Sequence, residues 1–127
     1  MNKMIINSQH APAPIGPYNQ AIEVNGFLFV SGQIALIPGT NDIALESIEI
    51  ETKQVMNNLQ AILIEADLSF EHVVKTSIFL SDMNHFATVN TVYANYFTSN
   101  YPARETIQVA GLPRGVNVEI SMIVAKG

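Results

Sequence analysis

Val73-Val74-Lys75-Thr76-Ser77-Ile78-Phe79-Leu80 sets Val74, Thr76, Ile78 and Leu80 against Val73, Lys75, Ser77 and Phe79. This is the period-two alternation of a strand with two distinct faces. Upstream of it, Glu46 to Ala66 carries apolar residues at helical spacing through Ile48, Val55, Leu59, Ile62 and Ala66, with polar residues on the other face. Downstream, a second helix from about Asn84 to Thr98 puts Phe86, Val89, Tyr93 and Tyr96-Phe97 on its apolar side, with Asp82 or Asn84 available as its cap. A strand held between two helices needs partner strands, and the two ends of the chain supply them.

Toward the N-terminus, two apolar runs flank Asn25-Gly26. Asn-Gly is the strongest two-residue hairpin signal, because both central positions of a type I′ turn need positive φ. In that register Val24 faces Phe27, Ile22 faces Phe29 and Gln20 faces Ser31. Toward the C-terminus, Arg104 to Val109 and Val116 to Val124 read as a second hairpin around a Pro-Arg-Gly turn. The latter run alternates cleanly, with Val116, Val118, Ile120, Met122 and Val124 opposite Asn117, Glu119 and Ser121. Hairpin, helix, strand, helix, hairpin predicts an α+β two-layer sandwich, with both helices on one face of the sheet.

The 127 residues fit a single domain spanning 1–127. Hydrophobic residues make up 48% and charged residues only 13%, so part of the apolar surplus is expected in a subunit interface. The net charge of -5 argues against a nucleic-acid partner. With no cysteine, disulfides, thiolate nucleophiles and thiolate metal sites are excluded, and a reducing compartment is expected. The apolar start, Met1 to Asn7, is too short to read as a signal peptide, and no run approaches a membrane span. The expectation is a cytoplasmic protein with no membrane association.

Arg104 and Glu119 draw attention because the chain has only two arginines, Arg104 and Arg114, and Arg104 opens a half-apolar segment. On neighbouring strands the two could hold an anionic substrate and a water, and they fit a plain salt bridge equally well. In a closed cleft, burial would raise the Glu119 pKa and a nearby Arg104 would lower it. Tyr18, after Gly16-Pro17, could line a pocket or simply pack. Ser31 ends a strand in a polar cluster. It lacks an activating partner and a Gly-x-Ser-x-Gly elbow, so it reads as a hydrogen-bonding group. Asn90 lies on the second helix opposite the apolar stripe. His10, His72 and His85 lack paired spacing, so no metal site is expected.

Six blocks together carry a resemblance: Ala13-Pro14-Ile15-Gly16-Pro17-Tyr18, Val30-Ser31-Gly32-Gln33-Ile34, Val74-Lys75-Thr76, Phe86-Ala87-Thr88-Val89-Asn90, Pro102-Ala103-Arg104, and Leu112-Pro113 with Val118-Glu119-Ile120. In this order, and across nearly the whole chain, they resemble the Rid, or YjgF-like, family. The resemblance implies a chorismate-mutase-like sandwich with a mixed sheet, assembled as a homotrimer with clefts between subunits. It also implies hydrolysis of 2-imino and enamine acids to 2-oxo acids and ammonia without a cofactor. Arg104 would clamp the substrate carboxylate and Glu119 would handle water or a proton. Tyr18 and Ser31 would shape the pocket, Asn90 would contribute from a neighbouring subunit, and the backbone near Thr106 would address the imine nitrogen. Many relatives have cysteine where this chain has Thr106, and Glu105 and Gln108 depart from the common pattern. Two other readings stand beside this one: a non-catalytic binder of 2-oxo acids, and an RNA-cleaving translation inhibitor, against which the acidic composition argues.

Overall fold

The computed structural model describes residues 2–127. Asn25 and Gly26 both adopt positive φ, 52° and 81°. Their turn joins β2 (Ala21–Val24) to β3 (Phe27–Gln33) in the predicted register, with Val24 opposite Phe27 and Ile22 opposite Phe29. The pairing runs on past β2, since the Ser31 N–H donates to the Gln20 carbonyl at 2.9 Å. A short strand that the alternation does not reveal, β1 (Met4–Ile6), adds antiparallel to β2.

Helix α1 (Ile48–Glu65) starts where the Ser47 side-chain oxygen accepts the Ile50 N–H at 3.1 Å, an N-cap that satisfies one free donor of the first turn. Its face of Val55, Met56, Leu59, Ile62 and Leu63 is buried against Leu28 and Val30 of β3, Ile78 and Leu80 of β4 (Val73–Leu80), and the inward residues of β6 (Val118–Ala125). Helix α2 (Phe86–Ala94) is shorter than its apolar spacing predicts. A 3₁₀ turn, Met83–His85, precedes it, with the Asp82 carboxylate accepting from the Asn84 N–H. Beyond Ala94, the N–H groups of Asn95, Tyr96 and Phe97 reach carbonyls only three residues back, which tightens and ends the helix. Tyr96 and Phe97 still pack on the core, so their apolar spacing reports burial without reporting helix.

The sheet order is β1-β2-β3-β6-β4-β5, with β5 (Ala103–Gln108) parallel to β4 and every other pair antiparallel. The expected C-terminal hairpin is therefore not formed: β6 lies between β3 and β4, while β5 is an edge strand reached by the crossover β4-α2-β5. Composition accounts for the difference. Val118, Ile120, Met122 and Val124 are all buried, as a strand paired on both sides requires, whereas Arg104, Glu105 and Gln108 suit an edge. The result is a mixed six-stranded sheet with two helices on one face. The other face leaves Ile5, Phe27, Phe29 and Ile107 exposed. Among the described residues no helix is long and apolar enough to cross a membrane.

Candidate functional site

Arg104 and Glu119 do not meet within one chain. Arg104 pairs with Thr76 of β4 and Glu119 pairs with Phe79, so β4 lies between them and they are offset by three residues. Ordinary strand spacing and rise put their α carbons roughly 14 Å apart. They also point to opposite faces. Thr76, level with Arg104, is fully buried beneath the helices, and the guanidinium lies over the rings of Phe86 and Tyr93 of α2, 5.6 and 5.3 Å from their centroids. Glu119 alternates with the buried Val118 and Ile120 and so faces away from the helices. A salt bridge between the two within one chain is thereby excluded.

Arg104 is at the mouth of a groove of 280 Å³ that Asn90, Tyr93, Ala94, Tyr101 and Pro102 also line. Two elements build it, α2 and the segment entering the edge strand. Pro102 and the edge position leave the start of β5 open on its outer side. The ion pairs among the described residues are Lys75–Glu105 and Lys126–Glu23, so Arg104 has no carboxylate partner there. Thr106, on the same side of β5, has its Oγ1 shut off from solvent without a hydrogen bond. Glu105 turns to the opposite face, as strand parity predicts, where Ser77 and Lys75 hydrogen-bond its carboxylate and hold its pKa below the usual value.

Glu119 belongs to a second group. It is half-buried, and desolvation raises its pKa above the usual glutamate value, with no lowering contribution from Arg104. Its carboxylate lies against Gly32, where an added Cβ would stand 2.5 Å from Oε2 and 2.8 Å from Cδ. Gly32 and Ser31 occupy the register shift between Val30 and Gln33, a bulge that brings the backbone up to the carboxylate. Gly32 also lines a narrow recess with Pro12, Ile15, Tyr18, Gln20 and Ile34, of which Tyr18 is about half exposed. The Ser31 hydroxyl donates to the Asn19 carbonyl at 2.6 Å, so its one proton is engaged. The structure thus brings Tyr18, Ser31 and Glu119 to one region and Arg104, Asn90 and Thr106 to another.

Three buried polar side chains that carry no motif hold the frame of the Glu119 region. Glu51, fully buried on α1, accepts from the N–H groups of Asn117 and Val118 and from Asn117 Nδ2, at 2.7 to 3.0 Å. Asn58 donates to the carbonyls of Ile34 and Leu36. Gln20 accepts from the Ser8 N–H and donates to the Ser8 and Pro12 carbonyls. A polar residue inside an apolar helical stripe was the one signal available for Glu51 and Asn58. No group of three His, Asp or Glu residues among the described residues could hold a metal ion.

Residues 8–126 match the endoribonuclease L-PSP family. A RutC family protein of Synechocystis is 53% identical over 97% of this chain and 96% of its own length. The mouse 2-iminobutanoate/2-iminopropanoate deaminase is 44% identical over 98% of this chain and 93% of its own. The crystal structure of E. coli TdcF with bound serine superposes with a TM-score of 0.93 at 37% identity, covering 98% of this chain and 99% of that one.

Proposed function

Since the chain belongs to the endoribonuclease L-PSP family, the Rid or YjgF-like proteins, we propose that it hydrolyses small 2-imino acids, and the enamines in equilibrium with them, to 2-oxo acids and ammonia. The carrying observation is Arg104: a guanidinium with no carboxylate partner, laid on two aromatic faces at the mouth of a groove. Its N–H edges are free to take a substrate carboxylate by two parallel hydrogen bonds, which lysine does poorly. The name of the mouse relative supports this substrate class.

Glu119 supplies the base in this reading. Water adds to C2 of the imine as Glu119 takes its proton. That proton passes to nitrogen to give a carbinolamine, whose hydroxyl proton Glu119 then moves to the same nitrogen as the C–N bond breaks, so that ammonia leaves and the C2 oxygen becomes the carbonyl of the 2-oxo acid. A carboxylate with a raised pKa is better matched to this proton traffic than a fully solvated one. Because Arg104 and Glu119 face opposite ways in one chain, the complete cleft requires a second copy, one giving Arg104 and Asn90 and its neighbour giving Glu119, Tyr18 and Ser31. A homotrimer with three such clefts satisfies this, and the exposed Ile5, Phe27, Phe29 and Ile107 supply apolar surface for it. Thr106 contributes through its backbone at the imine nitrogen.

To test this, a pyridoxal-phosphate-dependent threonine dehydratase generates the imine and its disappearance is followed. Arg104→Ala is expected to lower kcat/KM at least tenfold, the scale of a lost charged hydrogen bond. Equal rates for wild type and variant would sink the proposal. A second reading, a binder of 2-oxo acids without turnover, is favoured by the same separation of Arg104 from Glu119, since one copy alone holds an anion clamp with no base beside it. Calorimetric binding of 2-oxobutanoate with no acceleration of imine loss would select it. RNA hydrolysis, which the family's name suggests, is disfavoured by a net charge of -5 and only six basic residues.

A further inference from the structure

The guanidinium of Arg104 is steered by rings, and one of those rings is itself fixed. Tyr93 is almost wholly buried, and its hydroxyl hydrogen-bonds Thr76 Oγ1 at 2.8 Å. Thr76 in turn is the β4 residue level with Arg104 in the β4–β5 register. On another side, the Phe97 ring packs on Tyr93 with centroids 4.9 Å apart. Tyr93 therefore cannot swing away from Arg104 without breaking a buried hydrogen bond and an aromatic contact.

We propose that the Thr76–Tyr93 pair is a positioning device for Arg104, holding its guanidinium ring-on so that its N–H edges stay unspent for an incoming carboxylate. An arginine of this exposure would otherwise sample many rotamers, and ordering it on binding would weaken affinity. A salt bridge would also order it but would consume the donors that the ligand needs. Rings order it through its face and leave the edges alone, so only a carboxylate lying in the guanidinium plane is accepted. The device thereby fixes the plane in which a carboxylate docks, whatever the substituent at C2. Tyr93 acts through Arg104, so it is a positioning residue and not a catalytic one.

This inference rests on the clamp role given to Arg104 above, and the experiment separates the two. Binding of 2-oxobutanoate is measured by calorimetry, and kcat and KM are measured in the coupled assay, for Tyr93→Phe, Thr76→Val, their double variant, Tyr93→Leu and Arg104→Ala. Tyr93→Phe keeps the ring and loses the hydroxyl, and it is expected to raise Kd and KM roughly three- to tenfold, the scale of one hydrogen bond, with kcat within about twofold. Thr76→Val should match it, and the double variant should be no worse than either single, since both remove one bond. Tyr93→Leu should exceed tenfold, as the ring is lost as well. Lowered melting temperatures with wild-type Kd in Tyr93→Phe and Thr76→Val would reduce the pair to core packing and overturn the inference, provided that Arg104→Ala abolishes binding. Wild-type Kd in Arg104→Ala would overturn the clamp itself.

Discussion

Glu119 sits where a carboxylate is held at a disadvantage: half-buried, beside a glycine backbone, with its pKa raised by desolvation. Below the ordinary pKa of 4.5 the group is protonated in both folded and unfolded chains and imposes no differential. Above that value the unfolded chain ionises first, so the penalty grows as pH rises toward the raised folded pKa and is complete above it. Glu119→Gln is therefore expected to raise the melting temperature at pH 7, with the two proteins converging as pH falls toward 4.5. A difference independent of pH would show that desolvation is not the cause. Gly32→Ala tests the other side of the contact. Its Cβ would drive into the carboxylate, so destabilisation of about 1–3 kcal/mol by urea titration is expected, largely removed when Glu119→Ala is added. At this scale the sequence draws attention to Arg104 and Glu119 by their scarcity and placement, while Tyr18, Ser31 and Asn90 gain their candidate roles only from the family resemblance. It does not mark Gly32, Tyr93 and Glu51, because a glycine in a strand, a tyrosine on an apolar stripe and a glutamate in a helix each have an ordinary explanation until contacts are seen.

Elements follow from local pattern wherever local physics is sufficient. Asn25-Gly26 sets the β2–β3 register, alternation sets β4 and β6, and Ser47 with the apolar spacing sets α1. What binds the elements together is less legible, because it depends on buried polar atoms meeting across long stretches of chain. Glu51 is the clearest case: one carboxylate of α1 receives two backbone N–H groups and one side-chain amide at the entry to β6. Removing it as Glu51→Ala leaves those donors buried and unpaired, each costing about 1–3 kcal/mol. A loss of about 3–5 kcal/mol in urea denaturation is expected, with hydrogen exchange at Asn117 and Val118 accelerated ahead of the rest of the sheet. Uniform acceleration across the sheet would mean that Glu51 supports the fold at large and not this junction.

For the whole molecule, strand order is the part that local pattern leaves open. Alternation says which face of β6 is buried but not which strands flank it, and a C-terminal hairpin satisfies the same alternation as insertion between β3 and β4. That choice decides whether Arg104 and Glu119 share a cleft in one chain or need two. Mixing resolves it functionally. Arg104→Ala and Glu119→Ala subunits, each inactive alone, are expected to recover roughly a quarter of wild-type activity after co-refolding in equal amounts, because in a random ring about that share of interfaces pairs an intact arginine with an intact glutamate. No recovery would place the whole site within single subunits. The insertion of β6 also bears on how the protein comes into being. A ribosome releases β1 to β5 before it releases Val118–Ala125, so until then β3 and β4 each present an open edge and the two halves of the sheet have nothing to join them. Joining the two halves must wait for the strand that is made after the others and sits in the middle, which leaves two strand edges open on the nascent chain and ties the β3–β6 and β4–β6 pairings to one late event.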